Sequence, residues 1–279
     1  MQNLRTYGKP PFNVAVIHGG PGAGGEMAPV TKELSGDFGV LEPIQTATTL
    51  EGQVEELRLI LETHGLLPLI LIGFSWGAWL SLIVAARYPA LVKKLILVGC
   101  GPLDEKYVPM LQRTRLSRLN AVEKNEFEKI LRALNNSAAK NKNLLLDRLG
   151  ELASNSDNYD VVPSQTFVRN IPPAERPGHL EGVTAREGQR GDIFRNVWNA
   201  AAKLRKSGKL LELAGKVQCP VVAIHGDYDP HPAEGVERPL AALLEDFRFV
   251  LIKKCGHTPW LERQARDKFY RLVKASAKM

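Results

Sequence analysis

The chain has 279 residues, 44% of them hydrophobic, which is enough for one large core, or a core with an insertion, without help from disulfides. Its formal net charge is +7, but the Lys and Arg residues are spread along the chain without interleaved aromatic residues, so we expect no nucleic-acid partner. Three cysteines at spacings that match no zinc site, a start without a signal-peptide pattern and the lack of a membrane-length apolar run favour a cytoplasmic protein.

The first hundred residues alternate apolar runs, bounded by Gly and Pro, with amphipathic stretches, as βαβ units do. Strands are predicted at Phe12–Ile17, Phe38–Ile44, Leu66–Ile72 and Lys94–Gly99. Helices are predicted near residues 25–34, over Leu50–Thr63, and from residue 77 to about Tyr88. This order predicts an α/β fold with a mostly parallel sheet.

From residue 102 to residue 210 the pattern becomes helical, and strand-like runs nearly vanish. The predicted apolar helix faces carry Phe127, Ile130, Leu131 and Leu134, and then Ile193, Val197, Ala201 and Leu204. The proline-rich stretch Ile171–Gly178 is predicted to be a loop that gates access to a site. Strands at Val217–His225 and Phe247–Lys253 then resume the core. We predict a core of residues 1–101 and 211–279 and a helical cap of residues 102–210.

The pentapeptide Gly73-Phe74-Ser75-Trp76-Gly77 lies between a predicted buried strand and a predicted helix. A sharp turn at this point exposes a serine hydroxyl, and flanking glycines let the backbones approach more closely than a Cβ would permit. An ordinary strand-to-helix turn is the alternative interpretation. In this context we predict that Ser75 is a nucleophile.

A serine hydroxyl is a weak nucleophile at neutral pH and needs a histidine base that a carboxylate orients. His257 follows the last predicted strand, and Asp229 follows the strand before it, so we predict them as base and orienting acid. Asp227 is expected to cap its turn, and Asp104 is a second possible acid. The remaining histidines are expected to be structural or to lack an obvious partner: His18, His64, His179, His225 and His231.

Acyl transfer also needs two backbone N–H donors for the developing oxyanion. Trp76, directly after the nucleophile, supplies one. The glycine-rich loop after the first predicted strand supplies the other from Gly20, because Pro21 has no N–H. These residues predict hydrolysis of a small-molecule ester or amide through an acyl-enzyme, which requires no metal or organic cofactor.

Four motifs, in this order, resemble those of the α/β-hydrolase superfamily: His18-Gly19-Gly20-Pro21-Gly22, Gly73-Phe74-Ser75-Trp76-Gly77, Gly226-Asp227-Tyr228-Asp229 and Gly256-His257-Thr258-Pro259-Trp260. The resemblance covers about residues 12–101 and 215–278. It implies a mostly parallel, doubly wound sheet with an inserted helical cap. The leading hairpin common in the superfamily has no counterpart before Phe12, which implies a sheet trimmed at that edge.

The first motif and Ser75-Trp76-Gly77 also resemble prolyl aminopeptidases, which implies an acyl-enzyme mechanism and a substrate with a free amine. That family has glycine where this chain has Phe74, and a small hydroxyl residue where it has Ala78. Esterase or amidase activity is therefore favoured over aminopeptidase activity.

Two other functions stay open. Gly20, Gly22 and Gly25 fit the dinucleotide-binding pattern G-x-G-x-x-G, with Glu42 near the end of the next strand. Against this interpretation, Pro21 removes a backbone donor where a pyrophosphate needs one, and the later motifs are left unexplained. The chain could also be a non-catalytic binding protein on a hydrolase scaffold. The sequence identifies neither the substrate nor the oligomeric state.

Overall fold

The structure is a computed structural model that describes residues 3–136, 138–162 and 189–278. Within these residues seven strands form one sheet in the order β1-β3-β2-β4-β5-β6-β7. The strands are β1 (Leu4–Tyr7), β2 (Phe12–Ile17), β3 (Gly39–Pro43), β4 (Leu69–Phe74), β5 (Val92–Val98), β6 (Val221–Gly226) and β7 (Phe247–Ile252). Strand β1 is antiparallel to β3 and every other pair is parallel, so the predicted mostly parallel sheet is confirmed.

The described helices lie between and after these strands. They are α1 (Ala28–Leu34), α2 (Leu50–His64), α3 (Trp76–Arg87), α4 (Val108–Ser117), α5 (Ala121–Asn135), α6 (Lys142–Asp157), α7 (Gln189–Lys206), α8 (Lys209–Ala214), α9 (Glu234–Leu243) and α10 (Arg266–Lys278). Among the described residues no helix combines the length and the apolar composition that crossing a membrane requires.

Both faces of the sheet are apolar because successive strand residues point to opposite sides. In β2, Ala15 and Ile17 pack with α2 and α3, whereas Val14 and Val16 pack with α1 and α10 on the other side. A parallel sheet is stable only when helices cover both faces. The doubly wound architecture follows from this pattern.

Strand β1 was not predicted from the sequence. It has four residues, lies at the edge of the sheet and is only half-buried, so its hydrophobic pattern is weak. Polar contacts help to hold it: Tyr7 Oη donates to Glu42 on β3 at 2.9 Å, and Arg5 lies 3.5 Å from the same carboxylate. The sheet therefore extends one strand further than the sequence pattern indicates.

The insertion of helices α4 to α8 between β5 and β6 confirms the predicted helical cap. Helices α5 and α6 share a separate apolar cluster that includes the predicted Phe127 and Leu134, whereas Ile193 and Val197 of α7 pack into the main core. The boundaries 102 and 210 stay a prediction, and α8 spans the second of them. The predicted gating loop Ile171–Gly178 and His179 lie outside the described residues.

The strand order has a topological switch point between β2 and β4. The chain runs from β2 outward to β3 and then returns to β4 on the other side of β2. Ligands of open α/β sheets bind at such a switch point, outside the carboxyl ends of the strands. The glycine-rich loop follows β2 and Ser75 follows β4, so the fold brings these two predicted elements to one point.

Candidate active site

Ser75 forms the turn between β4 and α3 in an unusual backbone conformation. Its φ is 51° and its ψ is −113°, a region that few residues other than glycine adopt. A Cβ on Gly73 would collide with the carbonyl of Gly77, and a Cβ on Gly77 would collide with the carbonyl of His18. The two glycines therefore allow the close backbone approach that this turn requires. Such a strained serine is uncharacteristic of an ordinary turn.

His257 and Asp229 reach Ser75 from the turns that follow β7 and β6. The Nε2 atom of His257 lies 3.1 Å from Ser75 Oγ, and its Nδ1 atom lies 2.7 Å from Asp229 Oδ2. The side chain of Asp229 is fully buried, and that of His257 is 12% exposed. Hydroxyl, imidazole and carboxylate form one hydrogen-bonded chain, so the structure brings the three predicted residues together.

The two alternative acids accept backbone N–H groups. Asp227 Oδ1 accepts the Cys255 N–H at 3.3 Å, which lies in the turn after β7 and not in the turn of Asp227 itself, where a capping role was expected. Asp104 Oδ1 accepts the Lys106 N–H at 3.1 Å, at the start of a short 3-10 turn before α4. The carboxylate hydrogen-bonded to His257 is that of Asp229.

Within the hydrogen-bonded chain of Ser75, His257 and Asp229, the imidazole and the carboxylate stabilise each other's charged forms. Burial alone would lower the pKa of His257, but the charge of Asp229 and its hydrogen bond outweigh burial and hold the pKa above its ordinary value. Burial alone would raise the pKa of Asp229, but His257, His231 and His225 hold it well below its ordinary value. The site thus combines an ionised carboxylate with an imidazole of increased proton affinity.

The peptide between Gly19 and Gly20 is fixed by His18. The Gln45 N–H donates to Nε2 of His18 at 3.2 Å, so Nδ1 carries the ring proton and donates it to the Gly19 carbonyl at 2.6 Å. Burial lowers the pKa of His18 to about 4, so the ring is neutral. Because the C=O and N–H of a trans peptide point in opposite directions, the Gly20 N–H faces away from His18. Trp76 opens α3, where backbone N–H groups have no partner within the helix.

Glu26 lies beside the glycine-rich loop but belongs to none of the sequence motifs. A Cβ on Gly19 would collide with the carboxyl group of Glu26 and with the ring of Phe74. The Phe74 ring in turn lies 4.8 Å from the ring of His257. Oε1 of Glu26 is buried and makes no hydrogen bond of standard geometry with the described residues. Burial raises the pKa of Glu26 to about 7, against the opposing effects of the Gly19 backbone and His257.

Two further histidines surround Asp229, and the expectation that His231 lacks a partner is wrong. The backbone N–H and Nδ1 of His231 lie 2.9 and 2.6 Å from Asp229 Oδ1. The ring of His231 stacks on that of His257 with 4.5 Å between centroids. His225 Nε2 lies 2.8 Å from the His231 carbonyl. The available signal was the spacing of two residues between Asp229 and His231, which suits a local side-chain-to-backbone turn.

Asp229, His231 and His257 also have the composition of a metal site. Their ligand atoms lie within 4.8 Å of one another, and they form such a group among the described residues. Both oxygens of Asp229 already accept hydrogen bonds from ring N–H groups, so a metal ion would have to displace two ring protons. That the chemistry needs no metal stays a prediction.

The end of α6 in the cap holds the turn that carries His257. The His257 N–H donates to the carbonyl of Asp157 at 2.8 Å. The hydroxyl and N–H of Thr258 donate to Asn158 Oδ1 at 2.5 and 3.3 Å. These bonds join residues about 100 positions apart in the chain, so the placement of His257 depends on the cap.

Two charged side chains strengthen this attachment. Arg115 of α4 donates to both carboxylate oxygens of Asp157 at 2.9 and 2.5 Å. The fully buried carboxylate of Glu262 accepts three backbone N–H groups at 2.6 to 2.8 Å, those of Gly256, Tyr159 and Asp160. A buried carboxylate is stable when its oxygens are satisfied in this way.

The residues of the dinucleotide interpretation are engaged in other contacts. Glu42 accepts its hydrogen bonds from β1. The α carbon of Gly22 lies against the backbone of Arg190, and Arg190 Nε donates to the Gly22 carbonyl at 2.8 Å. The start of α7 therefore covers part of the loop that would bind a pyrophosphate, which weighs against this interpretation.

Similarity to known proteins agrees with this architecture. A 73-residue stretch is 30% identical to "Ethanol acetyltransferase 1" of Cyberlindnera fabianii; it is 26% of this chain and 21% of that protein, so the match spans about a fifth of the curated relative. VinJ superposes with a TM-score of 0.67 at 18% identity, over 99% of this chain and 94% of VinJ. MenH from S. aureus superposes with a TM-score of 0.63 at 16% identity, over 100% of this chain and 98% of MenH.

Structural likeness at such low identity shows the fold alone. The family assignment comes from the sequence profile of the alpha/beta hydrolase fold family, which matches residues 16–264. This range includes the glycine-rich loop, Ser75, Asp229 and His257. The chain therefore belongs to the α/β-hydrolase fold family.

Proposed function

We propose that the protein is a serine hydrolase that cleaves a small ester or amide through an acyl-enzyme intermediate. Ser75 is the nucleophile, His257 the general base and Asp229 the residue that orients the base. The observation that carries the proposal is the unbroken hydrogen-bonded chain from Ser75 Oγ through His257 to Asp229. Membership of the α/β-hydrolase family supports the same reaction class.

In the first step, Ser75 Oγ attacks the substrate carbonyl carbon and transfers its proton to His257 Nε2. The carbonyl oxygen becomes an oxyanion, which accepts hydrogen bonds from the N–H groups of Gly20 and Trp76. Each such donor contributes about 3 kcal/mol to transition-state stabilisation in hydrolases. The hydrogen bond between His18 and the Gly19 carbonyl supports the role of Gly20, because it fixes the peptide that carries this N–H.

The tetrahedral intermediate then collapses and breaks the bond to the leaving group. His257 returns its proton to the departing alcohol or amine, which leaves an ester of Ser75. A water molecule attacks this ester while His257 again takes a proton, and the acid is released as Ser75 recovers its hydrogen. Asp229 stays ionised throughout and stabilises the imidazolium that forms twice in the cycle.

The similarity to an ethanol acetyltransferase supports a second candidate, transfer of the acyl group to an alcohol. The chemistry up to the acyl-enzyme is the same, and only the acceptor that attacks the ester of Ser75 differs. Adding ethanol to a reaction with a nitrophenyl ester separates the two candidates. An acyltransferase would form the ethyl ester in preference to the free acid.

The proposal is tested with a panel of short-chain nitrophenyl esters and of aminoacyl amides, prolyl amides included. An acyl-enzyme mechanism predicts a burst of nitrophenol, equal to the enzyme concentration, when deacylation is slower than acylation. Ser75→Ala should abolish the burst and turnover. Turnover of esters by the Ser75→Ala variant at the wild-type rate would overturn the proposal, and a preference for prolyl amides would favour the aminopeptidase alternative.

We also propose that the cap, residues 102–210, contributes to substrate selection together with the core. The contact of α6 with the turn of His257, and the ion pair of Arg115 on α4 with Asp157 at the end of α6, support a cap that lies against the site. The position of the cap implies that exchanging its side chains changes which substrate is preferred more than it changes the reaction type.

A further inference from the structure

The carboxylate of Asp229 holds two imidazoles, one on each oxygen. Oδ2 accepts from His257 Nδ1 at 2.7 Å, and Oδ1 accepts from His231 Nδ1 at 2.6 Å. An ionised carboxylate only accepts hydrogen bonds, so both rings carry a proton on Nδ1. The side chain of His231 is 8% exposed, and that of Asp229 is fully buried. The arrangement is therefore shielded from water that could compete for either oxygen.

The local sequence explains why His231 reaches Asp229. Pro230 separates Asp229 from His231, and Pro232 follows His231. Because proline has no backbone N–H, His231 supplies the first N–H after Asp229 in the chain. That N–H donates to Oδ1 at 2.9 Å and closes a turn of the Asx type. Backbone and ring of one residue thus donate to the same oxygen, which fixes the rotation of the carboxylate about its Cβ–Cγ bond.

A third histidine, His225, donates a hydrogen bond to the backbone of the turn that contains Asp229 and His231. His225, the fifth residue of β6, directs its Nε2 to the carbonyl of His231 at 2.8 Å. A carbonyl only accepts, so this nitrogen carries the proton. The hydrogen bonds run in one direction, from His225 to the His231 backbone, from His231 to Asp229, and from His257 to Asp229.

We propose that His231 is a positioning residue for the base, which holds the second oxygen of Asp229 and thereby sets the orientation and basicity of His257. This inference rests on the proposed function, because it assigns His231 a role in the reaction of Ser75. His231 does not touch the reacting atoms in this role. It acts through Asp229.

The direction of the effect follows from charge. A donor on Oδ1 draws negative charge away from Oδ2, so the carboxylate stabilises the His257 imidazolium less strongly than it would alone. Loss of the His231 ring should therefore raise the pKa of His257 further and move the acidic limb of activity to higher pH. Burial lowers the pKa of His231 to about 4, so above that pH the ring acts as a neutral donor.

Other groups act on His257 as well, and the test must separate them. Within the described residues they are Asp229 and His231 in the turn after β6, Asp157 at the end of α6, Arg115 on α4 and Glu26 before α1. Burial raises the pKa of Glu26 to about 7, so the titration of Glu26 can add its own limb to a pH profile near neutrality. The pH series is therefore measured in a Glu26→Gln background as well as in the natural sequence.

Three variants at position 231 separate hydrogen bonding from packing. The amide nitrogen of Asn occupies the place of His Nδ1, so His231→Asn keeps the donor to Asp229. His231→Leu removes it and keeps an apolar side chain of similar bulk. The amide of Gln extends beyond the Nδ1 position, so His231→Gln is polar but misplaced, and it serves if the Leu variant does not fold.

The measurement is the pH profile of kcat/KM for an ester that the wild-type protein hydrolyses. His231→Leu and His231→Gln are expected to lose about tenfold in kcat/KM, the effect of one hydrogen bond to a charged group. Their acidic limb should move up by about half a pH unit. His231→Asn should stay within about threefold of wild type, with its limb unmoved. A folded Leu or Gln variant whose limb stays in place would overturn the inference.

An NMR titration tests the inference without a measurement of activity. The imidazole resonances of His257, assigned with the His257→Gln variant, report its pKa directly in each position-231 variant. A rise in the pKa of His257 in the Leu variant, and none in the Asn variant, is expected. If the protein hydrolyses neither the esters nor the amides of the panel but the pKa moves in this way, the proposed function fails and the link between His231 and His257 stands. If Ser75 turns over esters but the pKa does not move, only the inference fails.

Discussion

The turn of Ser75 and the turn of His257 contribute the two ends of one hydrogen bond, yet different parts of the chain shape them. The Ser75 turn is set by Gly73 and Gly77, two residues away on either side, where a Cβ would collide with backbone. The His257 turn is held by Asp157 and Asn158, about 100 positions earlier in the chain.

This difference indicates that neighbours in the sequence shape the turn of the proposed nucleophile, whereas the turn of the proposed base depends on tertiary contacts with the cap. A change in the cap should therefore disturb His257 before it disturbs Ser75. We therefore expect cap packing and the proposed reactivity to be coupled through the backbone of the His257 turn. Substitutions at each turn should show whether the two turns depend on these different contacts.

The largest effect is expected at Asp229, which accepts a hydrogen bond from the side of the His257 ring opposite Ser75. Asp229→Asn should lower kcat by about 10⁴-fold, because an amide favours the wrong tautomer of His257. Asp227→Asn and Asp104→Asn are matched controls that change a carboxylate bonded to a backbone N–H and should cost less than about fivefold. The measurement is kcat for a nitrophenyl ester. Loss of activity in a control variant, with Asp229→Asn fully active, would reassign the orienting acid.

The local region is tested at Gly77. Gly77→Ala places a methyl group against the carbonyl of His18, so the turn of Ser75 must shift. We expect a loss of about 10² to 10³-fold in kcat/KM and about 2–4 kcal/mol in the free energy of unfolding.

The control for Gly77 is Gly150 in α6, where a Cβ meets nothing within 4 Å. Gly150→Ala should leave kcat/KM unchanged and stabilise the protein by about 0.5–1 kcal/mol, the ordinary gain for alanine inside a helix. Urea unfolding and ester turnover of the two variants give the comparison. A fully active Gly77→Ala protein would show that the turn does not depend on its glycines.

The tertiary region is tested at Glu262. Glu262→Gln replaces the carboxylate that accepts three backbone N–H groups of the His257 turn and the end of α6. We expect a loss of about 2 kcal/mol in the free energy of unfolding and about tenfold in kcat/KM. Glu128→Gln, on an exposed side chain of α5, should change stability by less than about 0.5 kcal/mol. Equal effects of the two variants would contradict the role given to Glu262.

The smallest effect on activity is expected at Glu26, where the predicted change concerns stability. Burial raises the pKa of Glu26 to about 7, whereas the unfolded chain releases this proton near the ordinary glutamate value. Between these pH values the unfolded chain is ionised and the folded protein is not, so this group lowers stability as the pH rises toward about 7.

Glu26→Gln removes this penalty. The variant should be more stable than wild type by up to about 3 kcal/mol at about pH 8, and the difference should disappear below about pH 4. Urea unfolding at the two pH values measures it. A Gln variant that is less stable than wild type at the higher pH would show that Glu26 is ionised and paired in the folded protein.

Much of the fold was predictable because it depends on local periodicity. The strand Phe12–Ile17 was predicted with the bounds that the structure gives it, and the helix predicted over Leu50–Thr63 differs by one residue. Buried parallel strands are continuous apolar runs, and such runs are visible in one sequence. Strand β1 escaped prediction because it is short, half-buried and held in part by polar side chains.

The residues of the candidate site also separate into those that local sequence predicts and those that depend on tertiary contacts. Ser75 follows from its flanking glycines, and His257 and Asp229 follow from their positions after late strands. The contacts of Glu26 and Glu262 could not be predicted, because each depends on groups that only the folded chain brings near. His231 shows the limit most clearly: it is two residues from Asp229, yet its role depends on the orientation of one side chain.

The central claim is that Ser75 is a nucleophile activated by His257. The most direct test exposes the folded protein to a fluorophosphonate and locates the adduct by peptide mass mapping. The account predicts one phosphonyl group, on Ser75, formed rapidly in wild type, much more slowly in His257→Gln and not at all in Ser75→Ala. An adduct on another residue, or equal labelling of wild type and His257→Gln, would contradict it.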